Sequence, residues 1–192
     1  MNKFPVCPIF IPANRLEWVE KTFDKGTDAV IIDLEDSVPK EQKDETRTKL
    51  FSYIDSHDFE KTILIRVNPV EGEFGKEDMK ILSEVSSKLD AFMLPKIEQT
   101  ELLNDLPDNL IALIETPKSI QNLEEIASHK NVIGIALGGA DLSASLGSDM
   151  SWDSLLFTRS KIIIEAAANN LFTIDSPFMN IEDISSLKNE SV

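Results

Sequence analysis

Cysteine, histidine and positive charge are all scarce in this sequence. The single cysteine, Cys7, cannot form an internal disulfide, which points to a reducing compartment such as the cytoplasm. Cys7 falls in the first apolar run and reads as a small buried hydrophobe. There are two histidines, His57 and His129, both in polar stretches that read as surface, which argues against a His-rich zinc or iron site. Lys and Arg number 19 against 34 Asp and Glu, a net charge of −15. Such a surface repels nucleic acid and anionic lipid, and neither is expected as a partner. It also repels anionic substrates at long range, so a carboxylate substrate needs local Arg, Lys or metal. No apolar run approaches the roughly 18 residues of a membrane span. The opening residues lead straight into an apolar stretch, without the pattern of a signal peptide. No phosphate-loop Lys-Ser or Lys-Thr follows the glycines, and no Gly-x-Gly-x-x-Gly follows the first apolar run, which weakens a nucleotide-binding reading.

What remains is 192 residues with 42% hydrophobic content, enough for one globular domain over 1–192 with a real core. Short runs rich in Val, Ile and Leu recur at Val6–Pro12, Ala29–Leu34, Ile63–Val67, Ala91–Leu94, Leu110–Ile114, Val132–Leu137 and Leu171–Ile174. They are continuous rather than alternating, as strands buried on both faces are. Helices are predicted between them at Arg15–Lys25, Pro39–Ile54, Lys76–Ser87, Glu98–Asn104, Pro117–His129 and Trp152–Asn170. Asn14 with Glu17 has capping-box spacing, Thr116 precedes Pro117 at a first helical position, and Ser37 with Pro39 offers a similar start. Trp152, Leu155, Leu156 and Ile163 fall near helical spacing and read as packing. The βα rhythm predicts a parallel sheet wrapped by helices, either a TIM-type barrel or a doubly wound open sheet.

Function in both architectures gathers beyond the C-terminal strand ends. Glu35 and Asp36 follow the second run, Arg66 and Asn68 the third, Lys96 and Glu98 the fourth. Glu115 closes the fifth, Gly138, Gly139 and Asp141 follow the sixth, and Asp175 and Ser176 the seventh. Glu115 and Asp141 are a carboxylate pair suited to a hard cation such as Mg²⁺, or alternatively to helix caps or lysine partners. Arg66 ends a buried run, where its fork suits a substrate carboxylate or an ion pair with Glu35 or Asp36. Gly138, Gly139 and Ala140 offer backbone N–H groups near a helix start to an anionic oxygen, or simply make a tight turn.

These segments, taken in order, resemble the citrate lyase beta-subunit proteins of the HpcH/HpaI aldolase superfamily. The likeness is carried by Phe10–Arg15, Asp28–Val38, Ile65–Asn68, Leu94–Glu98, Ala112–Thr116, Gly138–Leu142 and Thr173–Phe178. The resemblance implies a TIM barrel that binds Mg²⁺ and cleaves or forms a carbon–carbon bond beside a carbonyl. The implied substrates are acyl-CoA thioesters of the citryl-, malyl- or citramalyl-CoA type, or a related 2-oxo or hydroxy acid. It implies Glu115 and Asp141 as metal ligands, Arg66 as the substrate-carboxylate arginine, and Glu35 and Asp36 as acidic residues near the metal's water shell. Lys96 and the Gly138–Ala140 amides are expected to help bind substrate.

The family continues past the seventh strand, so the expected architecture is a barrel whose last βα unit is missing from this chain. The first and seventh strands should then stand as edges, favouring a homo-oligomer and weak order beyond about Pro177. A metal- and oxo-acid-binding subunit without catalysis is the functional alternative.

Overall fold

The computed structural model describes residues 5–180 and 182–190. All seven predicted strands form: β1 Pro8–Pro12, β2 Ala29–Asp33, β3 Thr62–Arg66, β4 Ala91–Leu94, β5 Leu110–Ile114, β6 Val132–Leu137 and β7 Phe172–Ile174. They make one parallel sheet in the order β1-β2-β3-β4-β5-β6-β7. Such an order never reverses, so it has no switch point of the doubly wound kind. The sheet instead curls into a partial barrel. One cavity of about 640 Å³ is lined by Phe10, Ile31, Arg66, Met93, Leu113, Ala136 and Ile174, one residue from each strand. Among the described residues β1 pairs only with β2 and β7 only with β6, so the ring is not closed.

The continuous apolar runs are explained by two cores, one on each face of the sheet. Ile31, Leu64, Ala91, Met93, Ile111, Leu113 and Ala136 form the inner cluster. Their chain neighbours, such as Val30, Ile32, Ile63, Ile65, Phe92 and Ala112, pack outward with the helices. Because side chains alternate along a strand, residues two beyond the inner ones also face inward. Asp33 follows Ile31, Arg66 follows Leu64 and Glu115 follows Leu113 in this way. A buried apolar face therefore ends in charge at three strand tips. The two edges are less covered: Ile9 and Phe10 of β1 are 43% and 38% exposed, and β7 has no buried residue.

The helices are α1 Trp18–Phe23, α2 Lys43–Ser56, α3 Glu73–Leu82, α4 Pro117–Gln121, α5 Leu123–Ala127, α6 Gly139–Leu146, α7 Trp152–Ala168 and α8 Ile184–Glu190. Several expectations need correction. The Asn14 box does not form: α1 begins after Glu17 with no side-chain cap. Pro39 leads a short 3₁₀ turn, Lys40–Gln42, also without a side-chain cap. The predicted Glu98–Asn104 helix is only a 3₁₀ turn, Glu101–Leu103. Pro117–His129 breaks in two at Asn122, whose side-chain amide donates to the Glu98 carbonyl at 2.7 Å. The Thr116 start is borne out, with Thr116 and Ser119 making a reciprocal capping box around Pro117.

Cys7 lies just before β1 and is exposed, not a buried strand residue. His57 is exposed as expected, and His129 is half-buried. Of the residues read as packing on α7, only Leu155 is buried; Trp152, Leu156 and Ile163 face solvent with Phe157 and Ile164. Beyond Pro177 the described residues include α8, where Asp183 caps the Ser186 amide at 3.0 Å and Glu190 reaches Arg159 at 3.8 Å. Among the described residues no helix is long and apolar enough to cross a membrane.

Candidate active site

The strand tips bring the predicted residues to one rim, in two charge clusters. The first stands over β2 and β3. The register sets Asp33 directly beside Arg66. Arg66 donates from Nε to Asp33 Oδ1 at 2.7 Å and from Nη2 to Oδ2 at 2.8 Å, a bidentate pair. Its guanidinium also lies 3.3 Å from Glu35, 3.4 Å from Asp36 and 5.0 Å from the Phe10 ring centre. The ion pair expected with Glu35 or Asp36 is thus present, but the principal partner is Asp33. Burial works against the Asp33 charge, yet the hydrogen bonds and charge of Arg66, with help from Ser37 and the Glu35 amide, hold its carboxyl below the usual range.

A buried network braces this cluster from behind. Lys43 of α2 donates to the carbonyls of Leu34 and Glu35, at 2.7 and 2.6 Å, and to Asn68 Oδ1 at 2.6 Å. Asp78 of α3 is fully buried and accepts from the Asn68 amides, backbone at 2.8 Å and side chain at 2.7 Å, and from Arg47 at 2.6 Å. Two helices thereby pin the turn that carries Glu35 and Asp36.

The second cluster stands over β4, β5 and β6. Glu115 is 3% exposed and presses against Gly138, where a Cβ would sit 2.4 Å from the Glu115 Cβ and 2.6 Å from its Oε2. Only glycine leaves room for that carboxylate. Lys96 donates its backbone N–H to Glu115 Oε1 at 2.9 Å, while its Nζ lies 3.1 Å from Glu35 Oε1 and 3.6 Å from Asp141 Oδ2. Burial, then the nearby charges of Glu35 and Asp141, push the Glu115 carboxyl up to about 8, with Lys96 only partly offsetting them. Burial raises Glu35 too, against the opposing charge of Arg66. This end of the site carries more buried negative charge than its one lysine balances.

The predicted oxyanion amides are less free than expected. Gly138 N–H donates to the Ile114 carbonyl at 3.0 Å and Gly139 N–H to Ser176 Oγ at 3.2 Å. Both are committed within the protein, so the expectation that all three amides face a ligand needs correction. Glu98 uses its carbonyl to hold Asn122, and Asp175 pairs with Arg159 at 2.9 Å. The cavity below the rim has an apolar wall and a polar lip formed by Asp36, Arg66, Glu115, Asp141 and the Gly138–Ala140 turn. Its volume suits a small-molecule ligand. Asp33 and Lys43 fall outside the strand-end pattern. Asp33 sits inside the apolar run, and its signal is the period-two step from Ile31.

The chain is 30% identical over 192 residues to (3S)-malyl-CoA thioesterase of Cereibacter sphaeroides (strain ATCC 17029 / ATH 2.4.9), covering 95% of this chain and 66% of that protein. It is 30% identical over 193 residues to the citrate lyase subunit beta of Haemophilus influenzae, covering 90% and 65%. It thus spans about two thirds of the length of these relatives. The fold matches a solved citrate lyase beta subunit from M. tuberculosis, complexed with oxaloacetate and magnesium. There the TM-score is 0.79 at 28% identity, covering 95% of this chain and 83% of the other. Residues 7–109 and 106–192 both match one family description, and the chain belongs to the HpcH/HpaI aldolase/citrate lyase family.

Proposed function

We propose that this chain carries the site of a magnesium-dependent lyase that breaks or forms a carbon–carbon bond beside a carbonyl. The substrate class is a hydroxy-acyl-CoA, of the citryl-, malyl- or citramalyl-CoA type, or a related hydroxy acid. The single observation that carries this reading is the convergence of three carboxylates on one residue, Lys96, whose backbone N–H meets Glu115 and whose ammonium meets Glu35 and Asp141. The names of its relatives supply the substrate class.

The residues present fit magnesium. The donors are hard carboxylate oxygens, Glu115 is buried in a cradle that a Gly138 side chain would fill, and its raised value marks a carboxylate short of positive charge. Glu115 and Asp141 would hold the ion, with Glu35 and Asp36 near its water shell. Bound there, Mg²⁺ would supply Lewis-acid stabilisation of the oxygen that gains negative charge when the bond breaks.

The chain's own groups would do the rest. Arg66, locked by Asp33, would present its remaining edge to a substrate carboxylate, and the Asp33 pair fixes its plane. Lys43 holds the Glu35 carbonyl and so the angle of the acidic turn. Lys96 and the Ala140 amide would contact substrate oxygens. The apolar wall would exclude water from the reacting carbons. We read the 192 residues as part of one TIM-type barrel domain. The exposed apolar face of α7 supports self-association, which light scattering would test.

The test is to incubate the purified chain with malyl-CoA and Mg²⁺ and identify the products. Acetyl-CoA and glyoxylate are expected, and chelation should abolish them. Malate with free CoA would instead support thioester hydrolysis, the reaction named for the Cereibacter relative. No turnover with intact oxo-acid binding would favour the silent binding subunit.

A further inference from the structure

Lys96 has a backbone φ of +55°, one of three non-glycine residues with positive φ among those described. L-residues rarely adopt this region, which glycine enters freely, so a lysine here points to a use for its side chain. The turn does two things together. It aims the Lys96 N–H at Glu115 Oε1 and carries the ammonium between Glu35 and Asp141. One residue thus faces all three carboxylates of the cluster. The Lys96 side chain is 41% exposed, whereas the Glu35 side chain is 6% exposed. The lysine has room to swing away on its flexible stem without disturbing the core. Lys43 makes a useful contrast: it is buried on three hydrogen bonds and has no such freedom.

We infer that Lys96 is a tethered counter-cation, which partly balances the carboxylate cluster in the metal-free chain, is displaced by magnesium, and then carries its charge to the carboxylate of an incoming oxo acid. This rests on the reading of Glu115 and Asp141 as magnesium ligands. It also sets an order. Before the metal arrives the ammonium is engaged by Glu35 and Asp141, and an oxo acid meets carboxylates whose lysine is already committed. Once the metal is bound, Lys96 is released toward the cavity. Metal should therefore bind first, and the substrate second.

Lys96→Met tests this directly, because it keeps a long stem and a non-glycine backbone but removes the charge. Magnesium alone, then pyruvate at saturating magnesium, would be titrated calorimetrically into both proteins at about pH 9, above the value for Glu115. The inference expects two opposite changes. Magnesium should bind at least about tenfold tighter to Lys96→Met, since no tethered charge competes. Pyruvate should bind about tenfold weaker, since the delivered charge is gone. Thermal unfolding should agree: the variant should melt lower than the parent without metal and gain more from saturating magnesium.

Unchanged or weaker magnesium binding in the variant overturns the inference, as does unchanged pyruvate affinity. Absence of magnesium binding in the parent protein would instead remove the metal reading itself. Should Lys96→Met not fold, a crystal structure of the parent with Mg²⁺ and pyruvate decides. Nζ on the pyruvate carboxylate supports displacement and delivery, and Nζ still on Glu35 and Asp141 overturns them.

Discussion

Asp33 and Glu115 occupy similar places, each two residues beyond an inward-facing apolar side chain at a strand tip, yet their electrostatics are opposite. Asp33 has a bidentate arginine across the sheet and is held below the usual carboxylate range. Glu115 has one backbone N–H and a shared lysine, and is pushed up to about 8. One end of the rim is neutralised by the fold; the other is left short of a positive charge. Burying a carboxylate is costly without a partner. A structural carboxylate is therefore expected to look like Asp33, and Glu115 looks like one whose partner comes from outside. The glycine opposite it, Gly138, keeps the carboxylate in place without filling its surroundings.

Removing the balanced partner should do the most damage. Asp33→Ala removes the bidentate partner of the Arg66 guanidinium, whose side chain is 13% exposed, and leaves it the longer contacts to Glu35 and Asp36; it should cost about 3 kcal/mol in urea unfolding. Glu115→Gln, in the same assay without metal, should be neutral or stabilising. Equal losses in both variants would erase the distinction between the two ends.

The pH dependence should split the same way. Glu115 is raised from an ordinary 4.5 to about 8, so its contribution to stability is full below about 4.5 and is lost as pH rises through about 8. Asp33 is lowered, so its contribution is full above its ordinary 3.8 and is lost as pH falls through its folded value. Metal-free stability measured from acid to mildly alkaline pH should therefore decline between about pH 4.5 and about pH 8 and level off above that. Glu115→Gln should flatten that decline and leave the acid limb alone.

Arg66→Lys keeps the charge and loses the fork. Because the fork is what holds Asp33, the change should cost about 1.5–3 kcal/mol of stability as well as weaken oxo-acid binding. A loss of ligand affinity with unaltered stability would show that Asp33 needs only a nearby charge. The smallest effect is expected at Thr116, the residue after Glu115. Thr116→Ala removes the cap of α4 and should cost about 1 kcal/mol while leaving magnesium affinity unchanged. A large affinity loss there would mean that the Glu115 end depends on helix α4 as closely as the Asp33 end depends on Arg66.

Much of this was legible in the sequence, for reasons that also explain the failures. Runs such as Ala29–Leu34 read as strands because both faces are buried, and a continuous apolar run is the direct trace of that. The same continuity hid Asp33, which looks like one polar interruption until its register against Arg66 is known. Glu115, Asp141, Lys96 and Arg66 were legible as strand-end residues, since parallel strands deliver their tips to one rim. Their partners were not: the Asp33 fork depends on pairing, and the Lys43–Asn68–Asp78 brace joins segments far apart in the chain. A helix start is anticipated at Gly138–Ala140, but the short helix α6 that follows is not among the predicted helices; its two glycines serve tight packing against Glu115 and Ser176. Trp152, Leu156 and Ile163 face solvent although their spacing predicts packing, because spacing reports a shared face and says nothing of what covers it.

The central claim is that Glu115 waits for a metal cation, and proton release on magnesium binding tests it most directly. Calorimetry at pH 7 in buffers of different ionisation enthalpy counts the protons lost per ion bound. With the carboxyl near 8, Glu115 is mostly protonated at that pH and must give up most of a proton to bind the metal. The account predicts release approaching one proton per magnesium, and loss of both binding and release in Glu115→Gln. Magnesium binding with no proton release, undiminished in Glu115→Gln, would contradict it.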